Sequence, residues 1–268
     1  MTPINYKTED ICKAYRAAGV CEGRVIFLTS DMGRLGVYEF DRKKDLLSRH
    51  LKILRQMIGK GGTLVVPTGC TKLVNTNIPF DLDNTPSSSV GIFSEYVRVQ
   101  QEAQRSFHPF INYTAIGRNA VPITKNTSRH AFGPETPLAR MLELDALCIS
   151  VGREIRYTAT IAHHAEFLSG VPYRYIKEFM HPVVRNREII IEPFYLHVRY
   201  ENSDVEREYQ KKIGQRFLDN YSFSRNSLGR GYVWSYSMND YYKHTMNEIA
   251  KNPYVWCKLE PKERPWQL

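Results

Sequence analysis

Residues 24–67 open with Arg24-Val25-Ile26-Phe27-Leu28 and close with Gly59-Lys60-Gly61-Gly62-Thr63-Leu64-Val65-Val66-Pro67. The two ends are short apolar runs rich in β-branched residues, the pattern of buried strands. Between them Leu47, Leu51, Leu54 and Ile58 recur at helical spacing, with Asp41 ahead of the stretch and the glycine cluster ending it. Strand, helix, strand in this order predicts neighbouring parallel strands with the helix packed on one face.

Working outward, a polar loop runs from Thr71 to Pro86, and Ser87 and Ser88 stand where they can cap a helix. The inward face of that helix is expected to be Ile92, Phe93, Tyr96 and Val97. Pro137 to Leu144 reads as a short helix feeding a strand from Ala146 to Val151. Beyond Gly170 the pattern changes. Glu188 to Val198 reads as a pair of strands or as one strand broken by Pro193, and Val205, Tyr209, Ile213 and Phe217 form a helical stripe. A last helix starts near Asn239 and carries Tyr242, Met246 and Ile249 inward. No repeat or low-complexity linker divides the chain. The expected fold class is therefore α/β, with residues 1–268 as a single domain. A central mixed, largely parallel sheet is flanked by helices, and a C-terminal α+β extension follows a core of about residues 20–175.

With 268 residues and 42% apolar content the chain can bury an enzyme-sized core. No apolar stretch approaches the roughly 20 residues needed to span a bilayer, and the first residues lack a signal-peptide core. Cys12, Cys21, Cys70, Cys148 and Cys257 are scattered and odd in number, which suits reduced thiols and a cytoplasmic setting. A formal charge of +9 and a pI near 9.2 favour anionic partners. The basic residues are spread and no nucleic-acid motif is present, so coenzyme A is as good an anion as nucleic acid, and surface solubility alone is a third reading.

The chemistry is concentrated in Ala159-Thr160-Ile161-Ala162-His163-His164-Ala165-Glu166. Ahead of it stand Thr29-Ser30-Asp31-Met32-Gly33-Arg34-Leu35-Gly36, Gly62-Thr63-Leu64-Val65-Val66-Pro67-Thr68, Arg105-Ser106-Phe107-His108-Pro109 and Phe132-Gly133-Pro134-Glu135-Thr136-Pro137. In this order and at these separations the series, covering roughly residues 20–175, resembles the aminoglycoside N3-acetyltransferase-like family, which uses acetyl-CoA. The resemblance implies acetyl-CoA as co-substrate, no metal, His163 as catalytic base and Thr160 near the thioester carbonyl. It also implies coenzyme contacts from the loop Thr29, Ser30, Asp31, Met32, Gly33 and Arg34, and from Thr68, Arg105 and Ser106.

Each of these residues also has a plainer reading. Transfer to an amine needs a proton acceptor, oxyanion donors and two substrates held in contact, and histidine has the right intrinsic pKa for the first task. Glu166, one helical turn after His163, can orient it; the bland alternative is a polar helix start with two exposed histidines. His164 is the competing base, and Thr160 serves equally as a helix N-cap. Glu95 either supports the histidine or binds the incoming amine, or else pairs with Arg98 three residues on. His108 is either a substrate-positioning residue or a buried structural contact. Ala159 stands where relatives carry Asn or Asp, which removes a polar group on the acceptor side. Asp31 is an unexpected acid beside an anionic ligand, and Arg34 is placed to offset it. Adjacent histidines without His-Glu-x-x-His spacing argue against a zinc hydrolase, and no Gly-x-Ser-x-Gly elbow supports a serine hydrolase.

The basic balance disfavours polycationic acceptors at long range. The expected activity is N-acetylation of an amino sugar, nucleotide-linked and bound for a surface glycan. Aminoglycoside 3-N-acetylation conferring antibiotic resistance is the alternative, as is a catalytically weak homologue that binds coenzyme A or a sugar nucleotide. Tyr232, Trp234, Tyr236, Tyr241 and Tyr242 offer ring faces to a sugar or base, or else pack in the core. The expected partners are an amino-sugar acceptor and coenzyme A, with no nucleic acid and no membrane span, and a homodimer stays open. The region from about residue 176 is expected to form the acceptor side.

Overall fold

In the computed structural model, which describes residues 5–39, 43–88, 90–155, 158–200 and 210–257, the stretch 24–67 forms the β-α-β unit. Asp41, Val205 and Tyr209 lie outside the described residues. Strand β1 (Val25–Ser30) is preceded by helix α1 (Thr8–Ala17) and followed by α2 (Lys43–Ile58) and β2 (Thr63–Pro67). The chain continues through α3 (Ile92–Arg98), β3 (Gln104–Arg105), β4 (Tyr113–Gly117), α4 (Ala120–Thr124), α5 (Pro137–Glu143), β5 (Leu147–Val151) and α6 (Ile161–Leu168). A hairpin of β6 (Arg174–Arg185) and β7 (Glu188–Arg199) precedes α7 (Gln210–Asn220), β8 (Phe223–Leu228), β9 (Gly231–Ser237) and α8 (Met238–Lys251).

Seven strands form the central sheet in the order β3-β4-β2-β1-β5-β9-β8. The sheet is mixed as expected, but parallel pairing is confined to its centre, where β1 lies between β2 and β5. The four outer pairings are antiparallel. Only the central connections include a helical crossover of the kind parallel pairing needs, whereas β8 returns directly into β9. Those last two strands extend the central sheet instead of standing apart from it, because β9 is apolar on both faces, with Val233 on one side and Trp234 and Tyr236 on the other.

Alternation along β1 divides the core. Ile26 and Leu28 face a layer built by α1, α2 and α3, whereas Val25 and Phe27 face α4, α5, α6, α7 and α8. Leu47, Leu51, Leu54 and Ile58 of α2 are all buried in the first layer. Phe93 and Val97 of α3 join them, but Ile92 is exposed, and α3 starts at Gly91 with neither Ser87 nor Ser88 as a cap. Helix α8 starts at Met238, capped by Ser237, and buries Tyr241, His244, Thr245, Glu248 and Ile249; Tyr242 and Met246 are half-buried at its flank.

The β6–β7 ribbon forms a separate two-stranded sheet. Its β6 strand has no sequence counterpart above, and β7 passes through Pro193 without a break. Tyr195 directs its N–H away from β6, to the Arg129 carbonyl at 3.0 Å. Pro193, two residues earlier, shares that direction, so its missing N–H removes no bond from the ladder. The turn uses Asn186 and Arg187, both at positive φ, as a tight two-residue hairpin requires. Among the described residues no helix is long and apolar enough to cross a membrane.

Candidate active site

Strands β1, β2 and β5 end together, and the order of connections reverses at β1. A crevice outside strand ends at such a reversal is where open α/β sheets bind ligands. A cavity of about 660 Å³ lies there, walled by Thr29, Ser30, Asp31, Met32 and Gly33 after β1 and by Pro67 and Gly69 after β2. Arg153 after β5, Gly91 and Ile92 at the start of α3, Asn112 and Tyr113 at β4, and Thr158 and Thr160 at the start of α6 complete much of the wall. Close approach to the end of β1 demands glycine. A Cβ on Gly91 would lie 2.7 Å from the Ser30 carbonyl oxygen, and Gly91 also has a φ of +92°.

Ser30 and Ser88 line this cavity, and their hydroxyl oxygens are buried without a hydrogen-bond partner among the described residues. A buried hydroxyl without a partner is costly, and turning either one toward the cavity to meet an amide or hydroxyl group breaks no existing hydrogen bond. Asp31 is offset as expected: Arg34 Nε donates to its Oδ2 at 2.9 Å. Arg34 itself lines an adjoining cavity of about 400 Å³ with Arg153, Arg230 and Trp234.

Thr160 carries the wall onto α6. Its backbone is already helical, and its hydroxyl makes no cap bond, donating weakly to the Thr158 carbonyl at 3.4 Å. His163 follows one turn later, its N–H on the Thr160 carbonyl at 3.0 Å. Its Nδ1 lies 2.7 Å from Glu166 Oε2, and the Glu166 side chain is wholly buried. Two further groups hold that carboxylate. The Tyr173 hydroxyl donates to Oε1 at 2.8 Å, and Arg174 Nε lies 3.2 Å from Oε2. A buried carboxylate with a cation and a phenol fixes the imidazole with Nδ1 as donor, which leaves the lone pair on Nε2. The Phe132 ring packs at 5.5 Å from the His163 ring. Tyr173 and Arg174 escape sequence reading because the turn at Gly170 folds them back beneath α6. Only the general rule that a buried acid needs partners points to them.

His164 is not an equivalent base. It is buried, its Nδ1 accepts the Gly133 N–H at 3.2 Å, and burial pushes its pKa down to about 4. Ala159 is half-buried and packs against the core on the α6 side of the sheet.

Several residues expected to contact a ligand are engaged by hydrogen bonds within the protein. Arg105 is buried and all five of its N–H groups are engaged: Nε to Asn112 Oδ1, Nη1 to the Leu82 and Thr85 carbonyls, Nη2 to the Thr68 carbonyl and Cys70 Sγ. No donor is left for a phosphate. Thr68 is equally buried, its hydroxyl bonded to Asn112 and Thr114. Ser106 is buried, and its hydroxyl accepts the Tyr113 N–H. His108 is buried against Phe110 and Phe194, accepts the Phe110 and Ile111 N–H groups on Nδ1, and is held by burial at a pKa of about 3. Its Nδ1 holds the turn before β4, and its Nε2 is buried without a partner among the described residues. Glu95 is held by partners of its own, Ser87 and Arg98. Ser87 donates to it from backbone and side chain, and Arg98 binds both oxygens at 2.9 and 2.7 Å. Burial alone would raise the Glu95 pKa, but those bonds outweigh it and bring it down to about 2. Among the described residues no group of three or more His, Cys, Asp or Glu side chains could hold a metal ion.

Residues 28–249 match the sequence model of a family described as aminoglycoside 3-N-acetyltransferase. The chain is 25% identical over 153 residues to aminoglycoside N(3)-acetyltransferase III of Pseudomonas aeruginosa, a match covering 52% of this chain and 55% of that protein. It is 26% identical over 218 residues to aminoglycoside N(3)-acetyltransferase IV of Salmonella sp, covering 80% and 77% of the two chains. Among solved structures, the binary complex of AAC-IIIb with CoASH superimposes with a TM-score of 0.81 at 19% identity, over 95% of this chain and 99% of that one, which shows a shared fold.

Proposed function

The chain belongs to the aminoglycoside 3-N-acetyltransferase family, and on that premise we propose that it transfers an acetyl group from acetyl-CoA to an amine of an aminoglycoside. The observation that carries this reading is the His163–Glu166 pair, locked by Tyr173 and Arg174, on a helix whose N-cap residue, Thr160, lines the cavity.

The cavity volume suits an extended arm, and the orphaned Ser30 and Ser88 hydroxyls suit its amides. Acetyl-CoA supplies the acyl group as a thioester, which makes the carbonyl carbon electrophilic. Glu166 accepts the Nδ1 proton bond and holds His163 with Nε2 as proton acceptor. Nε2 removes the proton from the acceptor amine as the C–N bond forms, and returns it to the departing thiolate as the C–S bond breaks. The Thr160 hydroxyl, tied only by a long bond to Thr158, is the side-chain donor best placed to turn toward the developing oxyanion.

The names of the sequence relatives support an aminoglycoside acceptor, whereas net charge favours the nucleotide-linked sugar. Net charge acts on approach at long range, while recognition is local, so +9 does not by itself exclude a cationic acceptor. The reading places the enzyme in the cytoplasm, where acetyl-CoA is available, with its acceptor side built from the region after residue 176.

The test is release of free CoA thiol from acetyl-CoA with a panel of aminoglycosides and nucleotide-linked amino sugars. The expected result is turnover with aminoglycosides that falls by roughly 10²- to 10⁴-fold in His163→Ala. Turnover confined to nucleotide sugars would overturn the acceptor. Absence of turnover with any amine, despite coenzyme binding, would replace the enzyme with a binding protein.

A further inference from the structure

From Met180 to Pro193 the β6–β7 ribbon is covered on one face only, whereas nearer its base the other face also meets the body, where Tyr195 stacks on His130 and His197 packs against Phe167. Inward, Val183, His181, Glu192 and Phe194 are buried. Outward, three consecutive cross-strand pairs are Val184–Ile189, Pro182–Ile191 and Met180–Pro193. Directly opposed residues share a face, so these six apolar side chains form one ladder with no polar member. Ile189, Ile191 and Met180 are 63, 66 and 58% exposed. Past one end of the ladder stands the Glu178–Tyr195 pair, whose phenol donates to the carboxylate at 2.8 Å. Past the other is the turn, with Arg187 exposed.

A ladder without polar atoms offers nothing to a polycationic sugar or to a phosphate. Its chemistry suits another apolar protein surface. Its order along the ribbon is also self-complementary, with an acid beyond one end and a cation beyond the other. We infer that this face docks the same face of a second copy of the chain, the two ribbons running antiparallel about a twofold axis at the Pro182–Ile191 pair.

That register has specific consequences. Each Val184–Ile189 pair lies over the partner's Met180–Pro193 pair, at the separation of stacked sheets. The tip, with Arg187, comes over the partner's Glu178. An isologous contact of this kind closes as a dimer and leaves no free ladder for further copies. The ladder supplies on the order of 400 Å² per protomer, an apolar centre for the roughly 800 Å² per partner of a standard interface. The flanking charges supply part of its polar rim. The dimer does not depend on acetyl transfer, so its failure and that of the proposed activity are separable.

Sedimentation velocity of the full chain at micromolar concentration tests the inference. The wild type is expected to sediment as twice the 31.2 kDa chain mass. Ile191→Lys is expected to sediment as a monomer with an unchanged far-UV spectrum, because the side chain it replaces is exposed within the protomer. Arg187→Glu is expected to raise the dissociation constant about tenfold, and the double variant Arg187→Glu with Glu178→Arg to restore it. A wild-type monomer overturns the inference. So does a dimer that survives Ile191→Lys, since its interface lies elsewhere. Should Ile191→Lys fail to fold, the charge swap still decides, and a swap that restores nothing overturns the antiparallel register.

Discussion

Helices α3 and α6 both begin in the wall of the same cavity, and each carries an acid paired with a basic residue three positions away. In sequence the pairs Glu95–Arg98 and His163–Glu166 look alike. In the fold they differ in what surrounds the carboxylate. Glu95 is a third exposed and chelated by Arg98 and Ser87, so it is neutralised locally and braces the loop before α3. Glu166 has no exposure, and Tyr173 and Arg174 hold it from below. It also binds the imidazole of His163, which is a third exposed and stands one turn along α6 from the cavity-lining Thr160. Spacing brings an acid and a base together; burial and third partners determine whether the pair orients a catalyst or ties down a loop.

The contrast can be broken most sharply at Glu166. Glu166→Gln is expected to keep the fold, because the isosteric amide still offers the Tyr173 hydroxyl a carbonyl oxygen, but to lower kcat by roughly 10²- to 10⁴-fold, because the charge is gone and an amide N–H faces the His163 Nδ1 that the carboxylate held. The coenzyme KM should change little. Steady-state kinetics beside thermal unfolding checks this, and a kcat within a few-fold of wild type would demote Glu166 to the role of Glu95.

A second contrast is in acid response. His164 on α6 is held by burial at about 4, below the ordinary 6.5, so between those values the unfolded chain binds a proton that the folded chain does not. Stability from this group is complete above pH 6.5 and is lost as pH falls toward 4. By pH 5 the loss is roughly 2 kcal/mol. Glu95, held at about 2 against an ordinary 4.5, contributes fully above 4.5 and loses its contribution only below that value. Denaturant unfolding between pH 6.5 and 4.5 should therefore show a slope shallower by about 1 kcal/mol per pH unit in His164→Gln. Glu95→Gln should leave the slope unchanged in that window. Equal slopes in wild type and His164→Gln would show that His164 is protonated in the native state.

The smallest expected effect is at Glu95 itself. Glu95→Gln should cost about 1 kcal/mol of stability, discounted for partial exposure, with kcat preserved and salt reducing the difference. Loss of kcat comparable to that of Glu166→Gln would mean that the two helices are not distinct after all.

What the sequence makes legible follows the range of the forces involved. The central strands β1, β2 and β5 are readable because strands buried on both faces are continuous apolar runs, and α2 because its apolar period is local. His163 and Glu166 are readable because their relation is one helical turn. Arg105, Ser106, Thr68 and His108 are visible as residues but not as roles. Arg105 reaches partners 7 to 37 positions away, and no local pattern reveals that its donors are already engaged. The β6 strand is hidden for a related reason: its two faces meet a core and a bare surface, so neither continuous burial nor polar alternation marks it.

Arg105 has a consequence for binding that differs from the one its motif suggests. By joining Thr68, Cys70, Leu82, Thr85 and Asn112, one side chain ties the loop leading to Ser88 to the end of β2 before any ligand arrives. The ordering entropy of that wall is a term in the folding equilibrium, not in the binding equilibrium. Its five bonds touch no coenzyme, yet they leave the cavity preorganised, and affinity follows from a shape the protein already holds.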